Sequence, residues 1–281
     1  MRARLAIACT LLTTLAGAER ARAVPTTADL EARAKQLATS LAGQGFSIVV
    51  EPPFVVVGDE PAATVRRRAA GFMRWTIEKL EKDFFARRPD KLIEIYLFRD
   101  ERTYRKGAKR LFGDDPDTPY GYYSAEHDAL IMNIGPGAGT LSHELVHPYL
   151  EANFPGVPAW FNEGLASLYE RPSERHGHIV GLSNWRLPNL KAEIRAGTLP
   201  DLATLLASSD DGFYKAEFDS YAYARYLLFY LQEHDQLHDF YDAFRADPDD
   251  RTGTRALEAV LGEDLASFEP KWRAWVLAIR S

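Results

Sequence analysis

Cysteine is almost absent from this sequence, because Cys9 is the only one among 281 residues. A chain without a second cysteine forms no internal disulfide, so its core must be stable without covalent cross-links. Cys9 itself falls in an N-terminal apolar segment, which leaves no thiolate further along the chain to bind a metal. A metal site in the rest of the chain therefore has nitrogen and oxygen ligands.

The sequence also lacks a hydrophobic run long enough to span a bilayer comfortably. The longest candidate, 5–18, follows two arginines and precedes Ala21-Arg22-Ala23. This order of basic, apolar and small residues is typical of a secretory signal peptide. We predict a signal peptide at 1–23, cleavage after Ala23 and export to the periplasm or the medium. The alternative is that this segment is kept as an anchor.

Basic residues are not in excess, since the formal net charge is −6. The predicted signal peptide contains four arginines and one glutamate, so the mature chain is more acidic than the whole. An acidic chain is repelled by nucleic acid and by anionic lipid, and neither is an expected partner. Composition does not define the oligomeric state.

Hydrophobic periodicity predicts an α+β fold, organised as one domain with two lobes. The first lobe, 24–153, is predicted to combine a small mixed sheet with helices. The second lobe, 154–281, is predicted to be mainly helical. The predicted strands are 46–50, 54–57, 92–98, 120–124 and 129–134. The predicted helices are 26–43, 61–85, 100–112, 188–197, 201–207, 213–233, 236–246, 253–261 and 264–280.

The most informative motif is His143-Glu144-Leu145-Val146-His147, which has the pattern HExxH. In an α-helix, positions i and i+4 lie on one face a turn apart, so the two imidazoles can bind one zinc ion. Glu163 follows behind Pro158, which is typical of the first turn of a second helix. Its carboxylate can be the third protein ligand, with water at the fourth position. Glu144 lies about 100° round the helix from His143, where it can act on that water as a general base.

These motifs resemble the gluzincin branch of the zincin metallopeptidases, and most closely the bacterial peptidase-MA-like proteins. The match is specific over 139–170, where HExxH is followed by Asn-Glu-Gly-Leu-Ala, and looser over 54–231. The resemblance implies a zincin-like lobe whose sheet packs on the HExxH helix, and one Zn²⁺ per chain bound by His143, His147 and Glu163. The metzincin alternative fails, because Leu150 and Asn153 stand where that family has Gly and His.

A glycine-rich segment, 135–140, joins strand 129–134 to the HExxH helix. Its position imitates a dinucleotide-binding turn, but no repeated βαβ pattern and no P-loop lysine accompany it. We interpret it as a turn that lets the strand run beside the helix. The family resemblance implies that this strand is the sheet edge and binds extended peptide by strand addition. An ordinary capped edge is the alternative.

Several residues outside the metal motif are candidates for supporting roles. Tyr221 begins a Tyr-Ala-x-Ala segment that resembles the helix following the metal helices in this family, which implies a phenol that donates to the oxyanion. Packing on a helix face is its alternative. Arg225, one turn later, is expected to bind a substrate carboxylate or a structural acid. Ser167 is a candidate hydrogen-bond partner for a ligand imidazole, or a small packing residue. The segment 176–178 is predicted to be a surface loop.

The predicted function is that of an exported zinc metallopeptidase acting on a peptide or protein substrate, with Glu144 and Tyr221 as catalytic residues. A zinc amidase acting on a non-protein cell-wall amide would share this mechanism. A non-catalytic peptide-binding protein on the same scaffold is a further alternative. Glu144 argues against that alternative, because a purely structural site needs no base beside its open position.

Overall fold

The computed structural model describes residues 24–116, 118–124 and 126–280. The predicted signal peptide, 1–23, lies outside the described residues, so its prediction stays untested. None of the helices within the described ranges has both the length and the apolar composition needed to cross a membrane.

Seven strands and thirteen α-helices are formed by the described residues. The strands are β1 (Ser47–Glu51), β2 (Phe54–Gly58), β3 (Ile93–Phe98), β4 (Gly121–Ser124), β5 (Ala129–Asn133), β6 (Pro172–Arg175) and β7 (His178–Gly181). The helices are α1 (Thr27–Ser40), α2 (Ala62–Arg68), α3 (Arg74–Asp83), α4 (Glu101–Phe112), α5 (Gly139–Asn153), α6 (Ala159–Leu168), α7 (Leu187–Ala196), α8 (Leu202–Leu206), α9 (Asp210–Tyr214), α10 (Ser220–Glu233), α11 (Leu237–Ala246), α12 (Thr254–Leu261) and α13 (Leu265–Ala278).

Strands β1 to β5 form one mixed sheet in the order β1-β2-β3-β5-β4. The central strands β2, β3 and β5 are parallel, whereas β1 and β4 pair antiparallel at the two edges. Helices predominate from α5 onward. The predicted α+β class, with a small mixed sheet followed by a helical region, is confirmed.

Both faces of this sheet are covered by helices. Successive side chains of a strand point to opposite faces, so each strand contributes to two cores. On β2, Val55 and Val57 pack with Leu30 of α1 and Tyr104 of α4. Phe54 and Val56, on the other face of the same strand, belong to the core that includes α3 and α5. A strand that is buried on both faces has a continuous apolar sequence, as β2 does, whereas β3 is interrupted by Glu94.

The larger core continues past residue 153, where the sequence predicted a change of lobe. It includes Leu145 of α5, Leu165 of α6, Leu228 of α10 and Trp272 of α13, all completely buried. The HExxH helix therefore packs against the sheet on one side and against the helical region on the other.

Two predicted helices are interrupted. The first, 61–85, contains a π-helical segment at Ala69–Met73 between α2 and α3. The second, 213–233, is divided, because α9 ends at Tyr214 and α10 begins only at Ser220. The side chain of Asp219 accepts a hydrogen bond from the backbone N–H of Ala222, which caps the start of α10. An Asp that caps a helix favours a start at that point.

The loop predicted at 176–178 is the turn of a two-stranded hairpin at His176 and Gly177, whereas His178 already begins β7. His176 and Gly177 have φ values of 53° and 83°, as a two-residue hairpin turn requires. The ammonium groups of Lys79 and Lys82 donate to the carbonyl oxygen of Gly177. The hairpin is thus held by tertiary contacts with α3, which its weakly β-forming sequence does not reveal.

The edge strand beside the HExxH helix is β4, so the prediction that 129–134 forms the edge is wrong. Strand β5 lies between β3 and β4 and is paired on both sides. The two strands form a short hairpin, and the sequence of a hairpin does not show which of its strands faces outward.

Candidate metal centre

Close contacts between α5 and α6 determine the geometry of the predicted ligands. A Cβ atom on Gly139 would lie 2.1 Å from the carbonyl oxygen of Glu170, so only glycine fits at the start of α5. The hydroxyl of Ser142 donates to the carbonyl oxygen of Tyr169, just after α6 ends. On the opposite side of α6, a Cβ atom on Gly164 would lie 3.1 Å from the Cβ of Ala224 on α10. The helix that carries Glu163 is therefore held between α5 and α10.

The three predicted metal ligands, His143, His147 and Glu163, come together in the structure. Oε2 of Glu163 lies 3.2 Å from Nε2 of His143 and 3.9 Å from Nε2 of His147. Tetrahedral coordination with bonds of about 2.0–2.2 Å places ligand atoms about 3.3–3.6 Å apart. The observed distances fit one ion, and this buried group of side chains could hold a metal.

The charges in the group also favour a cation between the side chains. Burial lowers the pKa of His143, but the carboxylates of Glu163, Glu170 and Glu144 outweigh that effect and raise it to about 10. Burial raises the pKa of Glu163, but the two imidazoles outweigh it and lower the pKa to about 2. In the metal-free protein the cation is a proton on His143, which a divalent metal would replace.

Each ligand imidazole has a second polar side chain near its Nδ1 atom. Oδ1 of Asn162 lies 2.9 Å from Nδ1 of His147. Oε1 of Glu170 lies 3.5 Å from Nδ1 of His143, which is an ion-pair distance without a hydrogen bond. Such partners select the tautomer that presents Nε2 to a metal. Glu170 is fixed in turn, because Arg186 donates to both of its carboxylate oxygens.

The sequence left two roles open for Ser167, a partner of a ligand imidazole or a small packing residue, and the structure shows the second. The Ser167 side chain is completely buried, and its hydroxyl makes no hydrogen bond within the part of the chain that the structure describes. Its role is the alternative one of a small packing residue. Helical spacing does not predict Glu170 as the partner, because α6 ends at Leu168 and Glu170 lies two residues beyond it.

Neither partner predicted for Arg225 is found: its side chain is completely buried, away from any substrate in the cleft, and it forms no ion pair with a described acid. Its buried guanidinium donates to the carbonyl oxygens of Ser167 and Leu182 and lies over the ring of Tyr226. Burial lowers the pKa of Arg225 to about 10. The last carbonyls of a helix have no partner within the helix, and Arg225 supplies one at the end of α6.

Glu144 and Tyr221 both face the cleft that passes over the ligand group. The cleft consists of two cavities of about 510 and 600 Å³, and both are lined by Gly121, His143, Glu144 and Tyr221. The Tyr221 hydroxyl makes no hydrogen bond to another described residue, and burial raises the pKa of this phenol. Tyr221 is therefore protonated at neutral pH and available as a donor. Its ring lies beneath the guanidinium of Arg186, 5.1 Å away.

Tyr214 is a further site residue, which the sequence analysis missed. Its hydroxyl donates to Oε1 of Glu163 at 2.8 Å, while the other oxygen of that carboxylate faces the two imidazoles. Tyr214 lies on the short helix α9 and also lines the first cavity. The sequence carried no signal for it, because the predicted continuous helix 213–233 did not include the break that positions it.

We expect Tyr214→Phe to weaken binding of a divalent metal about 10- to 100-fold, the usual effect of losing a hydrogen bond to a metal ligand. The phenol holds Glu163 so that a single oxygen points toward the imidazoles. Competition with a chromophoric chelator measures the affinity. Tyr221→Phe is the matched control, since Tyr221 lines the same cavity without a hydrogen bond to a ligand. Equal affinities in the two variants would contradict this role for Tyr214.

No family model matches this sequence, and no curated protein shows significant similarity to it. The resemblance to gluzincins stays a prediction that rests on the residue pattern. Function is therefore inferred from the geometry of the cleft.

Proposed function

We propose that this protein is an exported zinc-dependent hydrolase that cleaves peptide bonds. The observation that carries the proposal is the convergence of His143, His147 and Glu163 beneath a cleft that Glu144 also lines. Two imidazoles and one carboxylate, with no thiolate, suit zinc with an open position. Export is inferred from the composition of residues 1–23.

Zinc bound here would supply a Lewis acid that polarises a substrate carbonyl and lowers the pKa of water from 15.7 toward about 7. The carboxylate of Glu144 accepts the proton of the attacking water and returns it to the leaving amine. The phenol of Tyr221 donates a hydrogen bond to the oxyanion that develops on the carbonyl. Asn162 and Glu170 keep the imidazoles oriented throughout.

Strand β4 supports a peptide as the substrate. The carbonyl oxygen of Tyr120 accepts a hydrogen bond from the N–H of Asn133 on the β5 side. Because hydrogen-bonding direction alternates along an antiparallel strand, the backbone groups of Gly121 and Tyr123 are directed away from β5. Both residues line the first cavity. An extended peptide can pair with these groups, which would place its backbone across the metal ligands.

Incubation of the purified protein with a denatured protein substrate tests the proposal. We expect cleavage that stops when a chelator removes the metal and returns when about one equivalent of zinc is added. Binding of the substrate without cleavage would favour the non-catalytic scaffold. Cleavage of a cell-wall amide, with denatured protein left intact, would assign the same site to an amidase.

We expect Tyr221→Phe to lower kcat by about 10²- to 10³-fold, the usual effect of removing one oxyanion donor. Metal content should not change, because the Tyr221 hydroxyl makes no hydrogen bond to the three metal ligands. Steady-state kinetics at saturating zinc measures the effect.

Tyr223→Phe is the control for this prediction. The Tyr223 hydroxyl is directed to the carbonyl oxygen of Pro200, and its ring stacks on Trp272 in the core. This variant should lose about 1 kcal/mol of stability and retain its turnover. Loss of turnover in Tyr223→Phe together with normal turnover in Tyr221→Phe would show that the wrong face of α10 had been chosen.

A further inference from the structure

Exposed aromatic side chains are concentrated at the cleft. Four large hydrophobic residues are exposed among the described residues, namely Val24, Tyr120, Trp185 and Tyr214. The three aromatic ones all line the two cavities over the metal ligands. Trp185, at 65% exposure, is the most exposed of the four, and it shares the second cavity with Tyr120. Clustered exposed apolar groups mark a binding surface rather than chance exposure.

Trp185 is held in a defined orientation even though it is exposed. The guanidinium carbon of Arg186 lies 4.3 Å from the centre of its ring and covers one face. Arg186 is itself fixed by two hydrogen bonds to Glu170, of 3.0 and 2.7 Å. The indole lines the second cavity, and 65% of the side chain is exposed. A ring that is fixed before a ligand arrives loses little conformational entropy on binding.

The same contacts connect Trp185 to the metal group. Glu170 binds Arg186 and also approaches Nδ1 of His143. A side chain bound on Trp185 would therefore have a fixed distance from the ligand imidazoles. Trp185 lines the second cavity together with His143 and Glu144, so a side chain bound on it would belong to a residue near the reacting bond.

We propose that Trp185 and Tyr120 form a subsite that binds a neutral aromatic side chain of the peptide substrate, adjacent to the scissile bond. This proposal rests on the proposed function and names the class of substrate. Aromatic rings bind one another in offset or edge-to-face geometry, and Trp and Tyr supply the largest rings for such contacts.

The charges of the cavity disfavour acidic and basic side chains on Trp185. Glu144 and Glu170 line the second cavity and repel an acidic side chain. A Lys or Arg side chain would bring a second cation to a ring whose other face already carries Arg186.

The polar groups nearest to Trp185 in the chain are already paired. The guanidinium of Arg186 and the amide of Asn184 both donate to Glu170. A sugar stacked on Trp185 would find no free partner among these three groups, and unpaired hydroxyl groups are costly to bury. A neutral aromatic side chain needs no such partners.

Cleavage of a peptide library measures the preference. Members of the library differ on either side of the cleaved bond, with Phe, Leu, Ala, Lys or Asp at each position. We expect wild type to prefer Phe at one of these positions. Trp185→Ala should lower the ratio of kcat/KM for Phe over Ala by roughly tenfold, mainly through KM, whereas Trp185→Phe should restore most of it.

Trp275→Phe is the matched control, because Trp275 lies on α13 and lines neither cavity. In Trp275→Phe the ratio of kcat/KM for Phe over Ala should equal that of wild type. The proposal would be overturned if this ratio in Trp185→Ala stayed within twofold of the wild-type ratio. A Trp185-dependent preference for glycopeptides, or for Lys or Asp at the same position, would also overturn it.

A second measurement is independent of turnover. Of the five tryptophans, Trp160 and Trp272 are completely buried, Trp75 and Trp275 are partly buried, and Trp185 is exposed, so the part of the acrylamide quenching that Trp185→Phe removes reports on Trp185. A Phe-containing peptide added to the Glu144→Gln protein should protect this fluorescence, and the Ala peptide should not. Protection without hydrolysis by wild type would support the subsite and refute the peptidase. Hydrolysis with neither protection nor preference would refute the subsite and leave the peptidase standing.

Discussion

Glu144→Gln is expected to lower kcat by a factor of about 10² to 10⁴ while the metal stays bound, which is the usual contribution of a general acid–base residue. Glutamine keeps the size and shape of the side chain but cannot accept a proton. Glu144 is almost completely buried on the face of α5 that lines both cavities, yet it is not one of the three converging ligands. Its loss should therefore affect turnover and spare metal affinity.

Two measurements on the same preparation check this expectation. Zinc content per chain should match wild type, and hydrolysis of denatured protein should fall by the stated factor. Glu151→Gln is the matched control, because this glutamate lines the first cavity from the same helix but binds Lys91 at the surface. Near wild-type turnover in Glu144→Gln would refute the mechanism proposed for this cleft.

The predicted ligands were recognisable in the sequence because their geometry is mostly local. The spacing of His143 and His147 defines their relative positions as soon as the segment is helical. Glu163 lies on a second helix, and its position was inferred from a motif. Its actual approach depends on Gly139 and Gly164, whose missing side chains allow α5, α6 and α10 to pack closely.

Residues that support the ligands were harder to predict, because each depends on where a helix ends. Glu170 lies just beyond the end of α6, and Tyr214 lies on α9, just before a break in a predicted helix. Helix ends are the least certain feature of a pattern-based prediction, since caps and tertiary contacts shift them by one or two residues. Both residues contact the site only because α6 and α9 end where they do.

Strand order in the sheet is likewise not predictable from local sequence patterns. The sequence of 120–134 predicts a hairpin, and the structure forms one from β4 and β5. Which of the two strands pairs with β3 depends on how the sheet packs on α5 and α4, a non-local property. The consequence for function is direct, because the strand that faces the cleft offers Gly121 and Tyr123, not the residues of β5.

Substitution of a metal ligand is the second change with a large expected effect. His143→Ala, His147→Ala and Glu163→Ala should each weaken zinc binding by about 10²- to 10³-fold. This factor follows from dividing an apparent zinc-binding free energy of about 10–16 kcal/mol among about four coordination positions. Each variant loses one of three atoms that lie within 4.8 Å of one another. Metal analysis after dialysis against a weak chelator measures the loss.

His178→Ala is the control for these ligand variants. His178, on the hairpin, binds Asp83 of α3 and is not one of the three converging ligands, so this variant should keep its zinc. Retention of stoichiometric zinc by a variant that lacks all three ligands would show that the ligand assignment is wrong.

The pH dependence of metal binding provides a further check on the ligand group. The pKa of His143 in the metal-free protein is raised to about 10, and the metal must displace this proton. Apparent zinc affinity should therefore rise as pH increases toward about 10, because the competing proton is lost, and it should fall as pH decreases. In Glu163→Ala a carboxylate that raises the pKa of His143 is missing. The rise in apparent zinc affinity with pH should therefore end at a lower pH in this variant. An identical pH profile in wild type and Glu163→Ala would show that Glu163 and His143 do not act on the same ion.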